Sequence, residues 1–294
     1  MSLIEKAVER LDALRSRTEA GAHPVTPAAL SDASVPAHGG AGSRDSTVAS
    51  RPRTPDVTIN LDQLASAGYV TPNFPKSLVS EEFRVIKRPL LTNIASPAAP
   101  IRNANLIMVT SSLPGEGKTF SAVNLAMSIA TELDRTVLLV DADVARPSLP
   151  RVLGLPDGKG LLDVVQDKSI ALGDVLLRTN IEKLSVITAG TRDMQSTELL
   201  ASESMGNLLT EMAQRYSDRV IIFDAPPLLV TTEARVLASR VGQVVFVVRA
   251  EETPKNAVKE ALATIEQSPI KLLILNQARN VQNVAYGYSY GYGY

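Results

Sequence analysis

The 294-residue chain contains no cysteine and only two histidines. The missing cysteines exclude disulfide bonds, a thiol nucleophile and a cysteine-ligated metal or iron–sulfur site. Both histidines, His23 and His38, lie in one low-complexity stretch rich in Ala, Pro, Ser and Gly. A general base in the folded part therefore has to be a carboxylate, a lysine or a tyrosine.

A strong charge of either sign and a long apolar run are also absent. The net charge of −1 gives no electrostatic case for binding nucleic acid or an anionic membrane surface. The longest apolar runs, such as TVLLV and VVFVV, are far shorter than the ~20 residues that a membrane-spanning helix needs. The first residues lack the basic-then-apolar order of a signal peptide, so we expect a cytoplasmic protein.

Composition divides the chain into four segments. Residues 1–19 repeat apolar side chains at helical spacing, which predicts an amphipathic helix that either docks on another protein or packs on its own domain. Residues 20–70 are predicted to be a disordered linker, because their small and polar side chains bury too little to offset the ordering entropy. A folded domain is predicted over 71–281, followed by a flexible tail over 282–294.

The predicted domain alternates apolar runs of strand length with helical stretches. The runs are LIMVT, TVLLV, LSVITA, VIIFD, VVFVVR and LLILN. Strands that are apolar throughout and separated by helices indicate a parallel sheet covered on both faces. The fold class is therefore α/β, with a doubly wound and mostly parallel sheet.

The first of these strands leads into SSLPGEGKTF and then a helix. Glycines allow successive backbone N–H groups to turn inward around a phosphate, and the helix start adds partial positive charge. Ser112 stands where the usual pattern has glycine, and a glycine-rich turn with an exposed lysine is the alternative interpretation. The predicted nucleotide contacts are Ser112, Pro114, Gly115, Glu116, Gly117, Lys118, Thr119 and Phe120.

Three aspartates follow two other apolar strands. Asp141 and Asp143 end the run TVLLVDAD, and Asp224 ends VIIFD. Ligands of doubly wound sheets bind beyond the carboxyl ends of the strands, and Mg²⁺ prefers hard oxygen ligands. We therefore expect a Mg²⁺ site formed by Thr119 with the three aspartates. Taken singly, each aspartate could instead cap a helix or form a turn.

Three motifs occur in the order SLPGEGKT, LLVDAD and IIFDAPP, followed by the tail AYGYSYGYGY. On these motifs, residues 70–294 resemble the bacterial tyrosine autokinases. The resemblance implies a P-loop NTPase fold of the deviant Walker type, ATP and Mg²⁺ as cofactors, and autophosphorylation of the tail by a neighbour in a ring of identical subunits. It also implies a role in capsule or exopolysaccharide chain length and export. A separate membrane protein of the chain-length-determinant type would recruit the chain to the inner face of the membrane and activate it, and a tyrosine phosphatase would reverse the reaction.

Matching the motifs residue by residue gives each position a role. Lys118 and Asp141 would be catalytic, with Asp141 as the base for the tyrosine hydroxyl, while Asp143 and Asp224 would act on Mg²⁺, directly or through water. Asn276 would either read the adenine or cap a turn. Where the family usually has an arginine after the aspartate motif, the chain has Ala145 followed by Arg146. The family's subunit-contact helix has its counterparts in Glu81, Arg84 and Lys87, for which an ordinary solvated face is the alternative.

The tail carries a tyrosine at every second position. A phosphoryl acceptor must reach the γ-phosphate in line, and a glycine-spaced tail can be threaded into an adjacent site. The alternative is a cohesive tail that mediates assembly only. A rival class, P-loop ATPases that position DNA or cell-division proteins, carries a loop lysine where this chain has Leu113. The predicted phosphoacceptors are Tyr286, Tyr288, Tyr290, Tyr292 and Tyr294.

Overall fold

Eight strands form one sheet in the order β1-β4-β5-β3-β6-β2-β7-β8 in the computed structural model, which describes residues 56–74, 76–96, 101–192, 195–216 and 218–278. Every strand pair is parallel except β4 with β5. The predicted α/β class with a mostly parallel sheet is therefore confirmed. The strands are β1 (Asp56–Val57), β2 (Leu106–Ser111), β3 (Thr136–Asp141), β4 (Leu177–Thr179), β5 (Leu184–Ile187), β6 (Arg219–Asp224), β7 (Gln243–Arg249) and β8 (Ile270–Asn276).

Helices cover both faces of this sheet. Neighbouring residues of the central strands alternate between two cores: Leu106 and Met108 of β2 pack in one, Ile107 and Val109 in the other. This is the two-sided burial that the uninterrupted apolar runs predict. The helices are α1 (Leu61–Ser66), α2 (Leu78–Ala95), α3 (Lys118–Ala130), α4 (Leu149–Leu153), α5 (Leu161–Gln166), α6 (Ser196–Ala201), α7 (Glu203–Arg215), α8 (Glu233–Arg240) and α9 (Lys255–Ala263).

The folded domain starts earlier than the sequence prediction placed it. Residues 56–70, assigned to the linker, form β1 and α1 and bury Ile59, Leu64 and Val70. Ile59 also exchanges two hydrogen bonds with Asn180, at 2.8 and 3.1 Å. The low-complexity composition ends before these apolar residues, so the predicted boundary at residue 70 extended the linker too far.

The predictions for residues 1–19, for the linker before residue 56 and for the tail over 282–294 fall outside the described residues. Within the part of the chain that the structure describes, no helix is both long enough and apolar enough to cross a membrane.

Candidate functional site

The loop between β2 and α3 has the backbone shape of a phosphate cradle. Gly115 and Gly117 both have left-handed backbone conformations, with φ of +85° and +94°. A Cβ atom at Gly117 would clash with the side-chain nitrogen of Asn276, so only glycine fits there. Helix α3 begins at Lys118 without a side-chain cap, which leaves its first N–H groups available to an anion.

Thr119 and Asp224 meet directly behind this loop. The Thr119 hydroxyl donates to Asp224 Oδ2 at 2.6 Å and lies 2.8 Å from the hydroxyl of Ser148. Asp224 is fully buried, and its Oδ1 has no hydrogen-bond partner. Burial raises the pKa of Asp224 to about 6, even though the Thr119 hydrogen bond acts in the opposite direction. A buried carboxylate oxygen without a partner beside a phosphate cradle fits a cation shared with phosphate.

Asp141 lies next to Asp224, because β3 and β6 pair in register at these two residues. Its Oδ2 accepts the backbone N–H groups of Ser148 and Leu149, each at 3.0 Å, and its Oδ1 accepts the N–H of Asp143 at 3.2 Å. Burial, with a smaller contribution from the negative charge of Asp224, raises the pKa of Asp141 to about 8. Asp141 therefore holds a proton far more tightly than an ordinary carboxyl group.

Asp143 faces the loop lysine. The Lys118 ammonium lies 3.8 Å from Asp143 Oδ2, and both side chains are about nine-tenths buried. Burial raises the pKa of Asp143, although the charge of Lys118 lowers it. The phosphate loop and the aspartate motif therefore meet through opposite charges.

The three carboxylates predicted to act on Mg²⁺ do not form a preassembled set of direct metal ligands. Among the described residues, no group of three acidic or histidine side chains could hold a metal ion. The reason is that Asp141 points its oxygens at backbone N–H groups, while Asp143 faces Lys118. Thr119 and Asp224 remain the two side chains placed to share Mg²⁺ with phosphate oxygens, and Mg²⁺ commonly binds through one or two side chains.

Glu116 and Asn276 hold the loop from the side of β7 and β8. The buried Glu116 carboxylate accepts the N–H of Leu113 at 2.7 Å and the hydroxyl of Thr253. Asn276, at the end of β8, donates its side-chain amide to the Glu116 carbonyl at 2.9 Å. The Asn276 amide and the Glu116 side chain thus both shape the loop, and the nucleotide role of Asn276 stays a prediction.

The remaining predicted loop contacts differ in accessibility. The Phe120 ring packs against Tyr69 at a tilt and edge-to-face against Phe83, with ring centroids 5.0 and 6.4 Å apart. Ser112 is buried, whereas Pro114 is exposed at the loop tip. Phe120 can therefore contribute its backbone N–H to a phosphate, but not its side chain.

Sequence reasoning missed Ser148 and Thr253. Ser148 stands immediately before α4 and contacts Thr119, and Thr253 stands two residues before the start of α9 and contacts Glu116. A serine before a helix is a recognisable cap signal, but nothing local in the sequence links either residue to the loop.

The predicted subunit-contact residues separate into two groups. Glu81 and Arg84 form an ion pair of 3.0 Å on α2, with about half of each side chain exposed. Lys87 is instead buried and donates to the carbonyl of Ser128 and the hydroxyl of Thr131, and it pairs with Glu132 at 2.7 Å. The prediction that Lys87 contacts a neighbouring subunit is wrong, because its ammonium is occupied within its own domain.

Comparison with known proteins agrees with this geometry. Residues 102–275 match the ParA family model, described as NUBPL iron-transfer P-loop NTPase. The fold and the phosphate loop define a nucleotide-binding P-loop NTPase. The iron chemistry in that description has no thiolate ligand in this cysteine-free chain.

The chain is also 36% identical over 219 residues to the tyrosine-protein kinase YwqD of Bacillus subtilis (strain 168). This alignment covers 73% of this chain and 87% of YwqD. The crystal structure of the chimerical protein CapA2B2 matches with a TM-score of 0.60 at 29% identity, covering 76% of this chain and 93% of that one. The kinase domain of the Escherichia coli tyrosine kinase ETK matches with a TM-score of 0.60 at 27% identity, covering 76% and 83%. The chain belongs to the bacterial tyrosine-protein kinases, which confirms the resemblance and the predicted enzyme class.

Proposed function

We propose that this chain is an ATP-dependent autokinase that phosphorylates the tyrosines of its own C-terminal tail. The observation that carries the proposal is the convergence of Lys118, Thr119 and the aspartates of β3 and β6 on one edge of the sheet, in a chain that ends in alternating tyrosines. The acceptors are Tyr286, Tyr288, Tyr290, Tyr292 and Tyr294.

The loop residues 112–120 would hold the ATP phosphates through their backbone N–H groups, with the Lys118 ammonium on the transferred group. Thr119 and Asp224 would hold Mg²⁺, which neutralises the charge on the phosphate oxygens when it is bound. Asp143 would keep Lys118 in the loop until the phosphates replace it as the partner of the ammonium. Asn276 would position the adenosine from the end of β8.

Asp141 would take the proton of the acceptor phenol while the phenol oxygen bonds to the γ-phosphorus and the bond from that phosphorus to ADP breaks. A pKa of about 8 brings its proton affinity closer to that of a phenol, which general-base catalysis favours. Asp141 has no exposed surface. Asp141 also accepts the N–H groups of Ser148 and Leu149 in the segment 142–149. A tyrosine therefore reaches Asp141 only after this segment has shifted.

Transfer would occur between chains, with Glu81 and Arg84 on the exposed face of α2 contributing to a ring of identical subunits. A separate membrane protein would recruit and activate the ring, a tyrosine phosphatase would reset it, and the phosphorylation state would regulate exopolysaccharide chain length or export. The half-exposed side chains of Glu81 and Arg84 support their part in this assembly, whereas Lys87 is excluded from it.

Incubation of the purified chain with Mg²⁺ and ATP, followed by intact-mass measurement and peptide mapping, tests the proposal. We expect successive additions of one phosphate, all on peptides covering residues 286–294, and none when the metal is chelated. ATP hydrolysis without any gain in protein mass would contradict an autokinase and favour the alternative, a nucleotide-dependent assembly or positioning switch.

A further inference from the structure

The carboxyl edge of the sheet presents the parts of the site in a linear order. The sheet order β8-β7-β2-β6-β3-β5 places Asn276 at one end, then the phosphate loop after β2, Asp224 after β6 and Asp141 at the end of β3. The next position along this edge is the end of β5, where residues 188–192 follow the strand. The nucleotide parts lie on the β2 and β8 side of Asp141, so the β5 side is the side of Asp141 that faces away from them.

A groove with a volume of about 840 Å³ lies at this position. Its walls carry three cationic side chains, Arg151, Lys159 and Arg192, and one acidic side chain, Asp157. Within the described residues, none of the three cations forms an ion pair with a carboxylate. The walls of the groove therefore carry more positive than negative side chains.

The groove is joined to the aspartate motif by hydrogen bonds. Arg192 donates through Nε to the carbonyl of Val144 at 2.8 Å and through Nη2 to the carbonyl of Ala145, just beyond Asp143. The Asp163 carboxylate fixes the floor, because it accepts the N–H groups of Gly160 at 2.8 Å and Thr191 at 2.9 Å. A ligand in this groove thus lies against the segment that leads to Asp141.

We propose that this groove binds phosphotyrosine in the tail of a neighbouring chain, an inference that rests on the proposed autokinase function. Residues 282–294 contain no charged side chain, so no side chain of the unmodified tail can form an ion pair with the cations. Each transfer adds about −1.5 to −2 charge, and arginine matches phosphate oxygens in a bidentate geometry.

The spacing of the tail fits this arrangement. Tyrosines at every second position lie on one side of an extended chain, roughly 6.6 Å apart. A phosphotyrosine held in the groove therefore presents the next tyrosine to Asp141 from the neighbouring position on the edge. The first transfer to a tail is then slow, and later transfers to the same tail are faster.

Peptide binding tests the groove without any catalysis. The full chain carrying Lys118→Met, without nucleotide, is titrated with the peptide AYGYSYGYGY, unmodified or phosphorylated at the tyrosine equivalent to Tyr290. We expect the phosphopeptide to bind roughly tenfold or more tightly than the unmodified peptide. The double variant R151Q/K159Q should lose this preference. The matched control R178Q/K259Q, which removes an exposed Arg and Lys outside the groove, should keep it.

Equal affinity for the two peptides, or a preference that survives in R151Q/K159Q, would overturn the assignment. Equal displacement of the phosphopeptide by inorganic phosphate and by phosphotyrosine would overturn the choice of ligand. Because no transfer is needed, the outcome is separable from the proposed function: a chain that binds the phosphopeptide but never labels its tail keeps the groove and loses the autokinase assignment.

Discussion

Two nearly buried lysines in this molecule form contacts of opposite kinds. Lys87 lies 2.5 Å from the Ser128 carbonyl and 2.7 Å from the Glu132 carboxylate, so its donors are used within the domain. Lys118 reaches Asp143 only at 3.8 Å, beyond hydrogen-bond length. The difference shows that burial alone does not identify a functional lysine. The Lys87 ammonium uses its donors to link α2 to α3. The Lys118 ammonium, in the phosphate loop, keeps its donors available for an anionic ligand.

The largest expected effect is that of Lys118→Met on catalysis. Loss of the charge on the transferred phosphoryl group should lower autophosphorylation by roughly 10²–10³-fold or more. The thermal midpoint should stay within about 2 °C, since Lys118 forms no hydrogen bond within the described residues and its ion pair with Asp143 is 3.8 Å long. Tail labelling by mass spectrometry and thermal unfolding measure the two effects. Lys259→Met, which changes an exposed lysine on α9, is the control, and labelling of Lys118→Met at the wild-type rate would show that the loop assignment is wrong.

Asp141→Asn should have the next largest effect, with turnover lowered by roughly 10²–10⁴-fold. The amide oxygen can still accept the N–H groups of Ser148 and Leu149 but cannot take the proton of a phenol. ATP affinity should change only slightly, so equilibrium binding and labelling rates need to be measured together. The exposed Asp134→Asn is the control, and normal turnover by Asp141→Asn would remove Asp141 as the base.

The same substitution should change how stability depends on pH. The pKa of Asp141 is raised to about 8 in the folded state, so the wild type loses stability as pH rises from the unfolded value of about 4. The asparagine variant has no such titration. Its stability relative to the wild type should therefore increase between pH 5 and pH 8, measured by urea unfolding without metal. A difference that is constant with pH would argue against the raised pKa.

Lys87→Met tests the structural role of the second buried lysine. It leaves the Ser128 carbonyl and the Glu132 carboxylate without their partner and should cost roughly 1–3 kcal/mol of stability. Lys87 lowers the pKa of Glu132. The stability that this ion pair contributes is therefore fully present above the pKa of Glu132 in the unfolded chain, and it is lost as the pH falls through the pKa of Glu132 in the folded chain. The difference between variant and wild type in urea unfolding should narrow in acid.

Arg88→Met is the matched control for Lys87→Met, because Arg88 lies 3.8 Å from the same Glu132 carboxylate but is largely exposed. It should cost less than about 1 kcal/mol. Equal costs for the two variants would show that the buried contacts of Lys87 carry no special weight.

The smallest stability effect is expected from Glu81→Ala with Arg84→Ala. An exposed ion pair contributes about 0–1 kcal/mol, so unfolding should barely change, while self-association measured by mass photometry should decrease. Glu211→Ala with Arg215→Ala removes another exposed helical pair, on α7, and should leave assembly intact. Assembly equal to wild type in the α2 double variant would exclude this face from the subunit contact.

The sheet and the chemical motifs could be predicted from sequence because each is encoded locally. Asp141 and Asp224 directly end apolar strands, and strands of a parallel sheet bring their carboxyl ends to one edge. The glycines of the phosphate loop stand between a strand and a helix, which gives their backbone conformations a recognisable context.

The features that could not be predicted depend on contacts between residues that are distant in sequence. Lys87 belongs to a helix with many charged residues, and only the packing of α2 on α3 decides that its ammonium is buried. Ser148 and Thr253 reach the loop from 29 and 137 residues away. Asp141 was predicted to be one of the Mg²⁺ ligands, but the turn into α4 occupies its Oδ2 with two N–H groups.

Mixing two defective chains tests whether the phosphate passes from one chain to another. One carries Lys118→Met with an intact tail, and the other is active but lacks residues 286–294. With Mg²⁺ and ATP, we expect phosphate on the tail of the Lys118→Met chain. The labelling rate should increase more steeply than linearly with protein concentration while assembly is limiting. If that tail stays unlabelled at every concentration, while the wild type labels itself, transfer occurs within one chain and the account of transfer between neighbours is contradicted.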